Sequence, residues 1–518
     1  MQTLELVLAL LVVAVALTTL APTLRVPAPV LLVLGGLLLA LLPQVPDIVL
    51  SPDLAFVLFL PPLLYSAAFD TSIRDLRAHI RPILSLAIGL VLATTVVVAA
   101  VVHAVLPELG WALAFVLGAI VSPPDAVAAV AVFRGLGVPR HLVTVLEGES
   151  LFNDATALVT YQLALAAAAT ATFSLGDASL RFVVVGVGGL LIGVAVGWVV
   201  ALVQRRLVDP GVEIAVSLLT PFGAYILAEE LHVSGVLATV AAGLCAGWWA
   251  PGLQAPETRL RSRAVWDMVA FLLNGLVFIL IGLQLLRILP ALATRSLGTL
   301  VGLGLLISLA AIVVRFAWVF GSSVLPAPAG RYADILALDW RERVVVGWAG
   351  MRGVVSLATA LALPLETPER DLLLFLTFCV ILVTLVGQGL SLPWLVRALG
   401  VSSDQGPSAQ ERHVRRVAAE AATTRLDELE QEWPTHRPLI DTLRSQYAHR
   451  TSHLEELAQQ NSPDAAEQEL LEHRQIRRAV LDAEREAVLK QRRRGALDDE
   501  VWRRIERDLD LEALRLDA

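Results

Sequence analysis

Charged residues and cysteines are scarce in this chain of 518 residues. Only 17% of its residues are charged, whereas 56% are hydrophobic and the mean hydropathy is +0.70. Soluble domains carry about 25% charged residues, so this composition excludes an ordinary soluble protein and indicates a chain that crosses a membrane repeatedly. The two cysteines, Cys245 and Cys379, both lie in apolar segments, which argues against a disulfide framework.

Basic residues are missing from the N-terminal stretch MQTLELVLALLVVAVALTTL, which carries Glu5 instead. A cleaved signal peptide begins with a basic region, so we expect this stretch to be a retained first spanning helix. The formal net charge of −8 gives no indication of nucleic-acid binding.

Apolar segments of spanning length predict thirteen membrane helices and an all-α polytopic fold. They fall at residues 4–20, 28–44, 53–69, 82–106, 111–133, 146–171, 181–207, 213–229, 233–249, 265–290, 297–325, 341–364 and 371–398. With the N-terminus outside, the inner loops hold fifteen arginines and the outer loops hold four. This bias predicts a cytoplasmic C-terminus.

The character of the chain changes at about residue 401. The stretch VSSDQGPSAQ (401–410) resembles a linker, and the residues after it are charged with helical periodicity. We therefore expect a transmembrane domain at 1–400 and a cytoplasmic helical domain at 401–518.

The segment GAIVSPPDAVAAV (118–130) places two prolines and an aspartate inside an apolar run. Pro123 and Pro124 lack a backbone N–H, so carbonyls one turn earlier lose their helical partners. A carboxylate at membrane depth indicates a functional site, and non-helical backbone is tolerated there only inside protein or beside a cavity. We expect a broken helix that presents free carbonyl oxygens and Asp125 to a small cation.

The segment EGESLFNDATALV (147–159) places Ser150, Asn153 and Asp154 on one strip of a helix, with Glu149 on the neighbouring strip. A hydroxyl, an amide and a carboxylate therefore share one face of an otherwise apolar helix. Such a face must look into a polar cavity or onto other helices, because lipid cannot satisfy these groups.

A third polar group lies in GWAGMRGVVSLATALALP (347–364), where Gly350 and Gly353 flank Arg352. A buried guanidinium stays charged and needs a carboxylate partner, for which we nominate Glu149. The glycines predict a close helix approach or a second unwound segment. If helices 1–6 and 8–13 are inverted repeats joined by helix 7, the two breaks fall in the corresponding helices 5 and 12, as in transporters with a midplane site.

Six motifs, in order over about residues 5–398, resemble those of bacterial Na⁺/H⁺ antiporters of the electroneutral branch, the family that includes eukaryotic sodium/proton exchangers. They are LPPLLYSAAF (60–69), GAIVSPPDAVAA (118–129), EGESLFNDATALV (147–159), YILAEELHVSGVLATVAAG (225–243), NGLVFILIGLQL (274–285) and GMRGVVSLA (350–358). The resemblance implies homodimers of thirteen-helix protomers in the cell membrane, in which a core domain moves like an elevator against a dimerisation domain. It implies transported Na⁺ and H⁺, no cofactor, and a role in pH and sodium homeostasis.

The resemblance also implies roles for single residues. Asp154 resembles the essential carboxylate that binds cation or proton, Asp125 the aspartate of the unwound helix, and Ser150 a cation ligand. These three residues are the implied Na⁺ ligands, and Asn153 joins them in the implied cation- and proton-binding site. Asn153 stands where electrogenic relatives have a second aspartate, which implies an electroneutral one-for-one exchange.

The resemblance assigns Glu149 and Arg352 to the family's structural ion pair. Two positions depart from the family pattern. Where the family usually has Thr-Asp-Pro, this chain has PDA (124–126), so a threonine ligand is missing. Ser66, an accessory candidate, stands where relatives often have Glu, Asp or Asn. Both departures leave a K⁺/H⁺ antiporter as the alternative to sodium exchange.

Other classes of function are weaker interpretations of the same residues. Asp125 and Asp154 on neighbouring helices are compatible with an intramembrane aspartyl protease dyad, but the Gly-x-Gly-Asp pattern of such proteases is absent. A channel or an anion transporter is a third class, and carboxylates that face a cavity argue against anions.

Overall fold

The structure, a computed structural model, describes residues 2–24, 26–42, 52–133, 136–170, 174–292, 295–321, 338–401 and 409–459, and beyond these residues 475, 478–484, 486–488, 490, 505 and 509–512. The chain divides into two units, Met1–Asp404 and Gln405–Ala518. Most of the predicted linker at 401–410 lies outside the described residues, as do most of the charged helical stretches after residue 459 and the loop arginines Arg25, Arg134 and Arg331.

The described part of the first unit contains helices and no strands. Its α-helices are α1 (Gln2–Leu24), α2 (Ala28–Leu39), α3 (Pro52–Asp70), α4 (Ile73–Ala78), α5 (Ile80–Leu84), α6 (Val91–Val105), α7 (Gly110–Val121), α8 (Ala126–Phe133), α9 (Arg140–Thr170), α10 (Leu175–Gln204), α11 (Pro210–Glu230), α12 (Gly235–Leu253), α13 (Pro256–Ile288), α14 (Leu297–Gly321), α15 (Trp340–Trp348), α16 (Val354–Leu361), α17 (Arg370–Leu382) and α18 (Gly389–Leu399). One π-helical turn, Ser85–Leu90, joins α5 to α6, and another, Val383–Gln388, joins α17 to α18.

Eight helical stretches of the described residues are long and apolar enough to cross a membrane. They are Glu5–Leu24, Ile80–Val105, Pro107–Phe133, Gly176–Gln204, Pro210–Glu230, Pro256–Gln284, Leu297–Gly321 and Arg370–Leu399. Helix α9 is not among them because its mean hydropathy is too low, and α15 and α16 are each too short. The all-helical membrane fold is thus confirmed, whereas the count of thirteen helices and the inverted repeats stay predictions.

Side-chain caps define where several of these helices begin. The Asp209 carboxylate accepts hydrogen bonds from the N–H groups of Gly211, at 2.7 Å, and Val212, at 3.1 Å, and so starts α11. A capping box starts α15, since the Asp339 side chain caps the helix while the Glu342 carboxylate accepts from the Asp339 N–H at 3.0 Å.

The helices of the first unit pack in two groups. Helices α1, α2, α3, α10, α11, α12 and α13 pack mainly against one another. The helices from α5 to α9 and from α14 to α18 form the second group, which also packs mainly within itself. Helix α9 also contacts α3, α10 and α12. The helix that carries the 147–159 motif therefore lies where the two groups meet.

Helices α2 and α13 cross at glycines. A Cβ atom on Gly36 would overlap the Ile279 carbonyl oxygen, and one on Gly282 would overlap the Val33 carbonyl oxygen. Small residues let helix backbones approach closely, which is how helices associate where lipid supplies no hydrophobic driving force. The crossing therefore depends on the missing side chains.

The first prediction tests this crossing. Gly282→Ala should lower the stability of the purified protein by about 1–3 kcal/mol, because the added methyl forces two backbones apart. Gly302→Ala in α14 is the matched control, since nothing lies within 4 Å of its Cβ position. The control should be neutral or up to ~1 kcal/mol more stable. Unfolding midpoints in detergent measure both variants, and equal midpoints would contradict the close crossing.

Candidate functional site

Two interrupted helices meet at the centre of the second helix group. Helix α7 ends at Val121 and α8 begins at Ala126, with Pro123 and Pro124 between them. Helix α15 ends at Trp348 and α16 begins at Val354. The N–H of Asp125 in the first break donates to the carbonyl oxygen of Met351 in the second, at 2.6 Å. The two breaks are therefore joined by their backbones.

The Asp125 carboxylate caps two helices. Its Oδ1 accepts from the N–H of Val127 at 2.8 Å, in the first turn of α8, and its Oδ2 accepts from the N–H of Val354 at 3.3 Å, the first residue of α16. Both helices present the positive end of their dipoles to this negative charge. A Cβ on Gly353 would overlap the same carboxylate, so only glycine permits this approach.

Arg352 contacts the opposite, negative ends of the interrupted helices. Its side chain is 1% exposed, and it donates from Nε to the Val121 carbonyl at 3.0 Å and from Nη1 to the Gly350 carbonyl. Its backbone N–H donates to Thr384 Oγ1 at 3.1 Å, in the π-helical turn of the last membrane segment. A cation at helix C-termini complements Asp125 at the N-termini.

The carbonyls at the proline break differ from the expectation of free oxygens. The Ser122 hydroxyl donates to the Ala119 carbonyl at 2.9 Å, Arg352 donates to that of Val121, and Asn153 Nδ2 donates to that of Pro124 at 2.8 Å. The expectation that the break offers its oxygens to a cation is therefore wrong for these three. Buried carbonyls take protein donors because leaving them unpaired costs free energy.

The predicted ion pair between Glu149 and Arg352 is also wrong. Arg315 of α14 binds Glu149 instead, with Nη1 at 2.5 Å from Oε1 and Nη2 at 2.8 Å from Oε2. Both side chains are 1% exposed, and the bidentate geometry occupies both carboxylate oxygens. Because Arg352 already binds carbonyls, it does not need a carboxylate.

Arg315 is the functional-site residue that sequence reasoning missed. It was detectable, because it is a single arginine within the apolar helix LGTLVGLGLLISLAAIVVRFAWVFG. Its Nε donates to the Val346 carbonyl at 3.0 Å, and a Cβ on Gly350 would overlap its Cδ. Gly350 thus makes room for Arg315.

Asp154 differs from Asp125 and Glu149 in its partners. Its side chain is 5% exposed, and in the part of the chain that the structure describes no protein group donates a hydrogen bond to its carboxylate. It lies close enough to Asp125 for the two charges to interact. A proton or a cation can stabilise a buried carboxylate that accepts no hydrogen bond, because either one neutralises its charge.

The remaining predicted residues lie around this carboxylate or on its helix. Asn153 is fully buried, and its Oδ1 has no hydrogen-bond partner among the described residues. Ser150 is half-buried on α9, one turn before Asp154. The Ser66 hydroxyl donates within its own helix, α3, to the Leu63 carbonyl at 3.4 Å. The structure therefore joins Asn153 to the Pro124 break, and among the described residues it gives Ser66 no bond to another helix.

Comparisons with known proteins agree with one another. The family described as sodium/hydrogen exchanger, transmembrane, matches residues 7–398. An uncharacterized Na⁺/H⁺ exchanger of Mycobacterium tuberculosis is 36% identical over 529 residues, 99% of this chain and 96% of that protein. A sodium, potassium, lithium and rubidium/H⁺ antiporter of Bacillus subtilis is 36% identical over 71% of this chain and 58% of its own length. The solved structure of the sodium proton antiporter MjNhaP1 from Methanocaldococcus jannaschii covers 77% of this chain and 100% of its own, with a TM-score of 0.61 at 19% identity.

The second prediction concerns the pair of Glu149 and Arg315. Arg315→Ala should cost about 3–5 kcal/mol in stability, because it leaves Glu149 buried without a cation. The double variant Glu149→Gln with Arg315→Gln removes both charges and should recover much of that loss. Unfolding midpoints and the yield of monodisperse protein measure both.

Arg295 provides the matched control for this test. It pairs with Glu108 at 3.5 Å and Glu369 at 3.3 Å in partly exposed positions, so Arg295→Ala should cost only ~0–1 kcal/mol. An Arg315→Ala protein as stable as this control, or a double variant no better than the single one, would reject the pairing.

Proposed function

Since this chain belongs to the family of transmembrane sodium/hydrogen exchangers, we propose that it exchanges Na⁺ for H⁺ one for one, with Asp154 as the exchanging carboxylate. Membership makes the protein a secondary transporter that carries out monovalent cation/H⁺ antiport, and not an enzyme. This overturns the protease alternative. Antiporters of this kind need no cofactor, and Na⁺ and H⁺ are their substrates.

The contrast between Glu149, Asp125 and Asp154 supports this role for Asp154. Both oxygens of Glu149 are bound by Arg315, and both oxygens of Asp125 accept backbone N–H groups. Of these three, only Asp154 has no protein donor among the described residues. Protonation removes the charge that attracts a cation, and a bound cation stabilises the ionised form and expels the proton. Competition at one carboxylate couples the two fluxes without a covalent step.

Asn153 supports the one-for-one ratio. It is neutral, and its amide nitrogen already binds the Pro124 carbonyl. It therefore cannot release a second proton per cycle. With Asp125 occupied as a helix cap, one exchangeable charge remains, which makes the exchange electroneutral.

Potassium is the alternative to sodium as the transported cation. The name of the Bacillus subtilis relative includes sodium, potassium, lithium and rubidium. In this chain the Pro124 carbonyl is bound by Asn153, so Pro124 replaces a threonine hydroxyl without adding a ligand. We propose Na⁺ and Li⁺ as substrates, with Asp154, Asp125 and Ser150 as the protein ligands.

Movement of one helix group against the other is the proposed route across the membrane. The two groups pack mainly within themselves, and α9, which carries Asp154, lies where they meet. We assign the group with α7, α9 and α15 to the moving core, and the group with α1, α2 and α13 to the dimerisation domain of a homodimer. The N-terminus faces outward, the tail is cytoplasmic, and the transporter serves pH and sodium homeostasis in the cell membrane.

The third prediction is the loss of exchange in Asp154→Asn. In proteoliposomes with an imposed pH gradient, this variant should show no Na⁺-dependent dissipation of the gradient, because asparagine cannot alternate between proton and cation. Asp177→Asn, an exposed aspartate in the first turn of α10, should exchange like the unmodified protein. Both variants should elute at the same volume as the folded, unmodified protein. If the Asp154→Asn variant still exchanged Na⁺ for H⁺, that result would contradict the proposal.

A further inference from the structure

A second group of buried polar side chains lies between α11 and α13, in the other helix group. Glu213 and Ser217 of α11 are 5% and 1% exposed, and Thr258 and Ser262 of α13 are 1% and 2% exposed. Each pair is spaced by four residues, so its members share one face of their helix. The start of α13 is otherwise exposed, and its buried stripe is Thr258, Ser262 and Trp266. Hydroxyl groups, rather than apolar groups, are buried here, which indicates a polar site between the two helices.

Contacts between the two helices bring these faces together. Trp266 Nε1 donates to the Ser217 hydroxyl at 3.0 Å, and Thr258 lies beside the Glu213 carboxylate. Ser262 is one turn from each of Thr258 and Trp266 on α13. The faces are therefore in register, with Ser262 between the two points of contact.

Three oxygens of this group lack partners. Glu213 Oε2, Thr258 Oγ1 and Ser262 Oγ have no hydrogen bond to any described residue. No arginine or histidine of the described chain forms an ion pair with Glu213 within 4.0 Å, although Glu213 is buried. Buried polar groups are almost always paired, and an unpaired carboxylate is the costliest case.

We propose that Glu213, Thr258 and Ser262 form a second binding site for a monovalent cation, separate from the site at Asp154. Carboxylate and hydroxyl oxygens are hard ligands that suit Na⁺, and one carboxylate matches one positive charge. A divalent ion such as Ca²⁺ takes six to eight oxygens and usually several carboxylates. The next acid, Asp209, is exposed, and its Oδ1 already caps α11.

The fourth prediction tests the site with the transport carboxylate removed, so that failure of the proposed exchange mechanism does not affect it. In Asp154→Asn protein, NaCl should raise the unfolding midpoint saturably when choline chloride keeps the ionic strength constant, since a ligand that binds only the folded state stabilises it. Adding Glu213→Gln should abolish this rise. Adding Thr258→Val or Ser262→Ala should shift the half-saturating Na⁺ concentration upward by ~fivefold, the effect of one lost oxygen contact.

Thr377→Val is the matched control, because the hydroxyl of Thr377 is fully buried and is already engaged by its hydrogen bond to the Leu373 carbonyl at 2.8 Å. It should leave the half-saturating Na⁺ concentration unchanged, even if it lowers the midpoint without Na⁺. Each variant is compared with itself across the titration, so a loss of basal stability does not obscure the result. A Glu213→Gln protein that still responds, an Asp154→Asn parent that does not respond, or an equal response to choline would each overturn the site.

Discussion

The structure depends on two interrupted helices that hold each other's ends. Asp125 binds the N-termini of α8 and α16, and Arg352 binds carbonyls at the ends of α7 and α15. Each charge meets the end of the helix dipole that favours it, and the Asp125 N–H joins the breaks directly. Without these contacts, the non-helical backbone would bury unpaired polar groups at a depth where water is absent. The cost of breaking two helices is thus offset by charges that belong to the breaks themselves.

This arrangement divides the buried acids by task. Glu149 forms a bidentate pair with Arg315 and fastens α9 to α14, and Asp125 fastens the half-helices. Both of these carboxylates are already stabilised by donors of the protein, so neither needs a proton or a cation to neutralise it. Asp154, on the same helix as Glu149, is held by none of the described residues. The proposed chemistry follows from that difference in partners, because all three side chains are acids in the same membrane region.

Residue chemistry made both breaks and the polar face of α9 predictable from the sequence. Proline, aspartate and arginine cannot remain in lipid, so their positions in apolar segments indicate a site before any helix is packed. Partners were not predictable, because they depend on which helices are neighbours. Arg315 lies 166 residues from Glu149, and only the folded arrangement, which brings the Arg315 side chain of α14 within reach of α9, selects it over Arg352. The donors that bind the carbonyls at the Pro123–Pro124 break likewise could not be predicted, because only the packing brings Asn153 and Arg352 close to them.

The central claim is that one carboxylate carries the exchange, and the dependence of transport on voltage tests it most directly. In proteoliposomes of the unmodified protein, Na⁺-driven proton movement would be measured at several clamped membrane potentials, with Li⁺ and K⁺ in parallel. One-for-one exchange predicts that the pH gradient at which net flux stops depends on the Na⁺ gradient alone. A stopping point that shifts with membrane potential would contradict the account, because more than one proton would then accompany each cation.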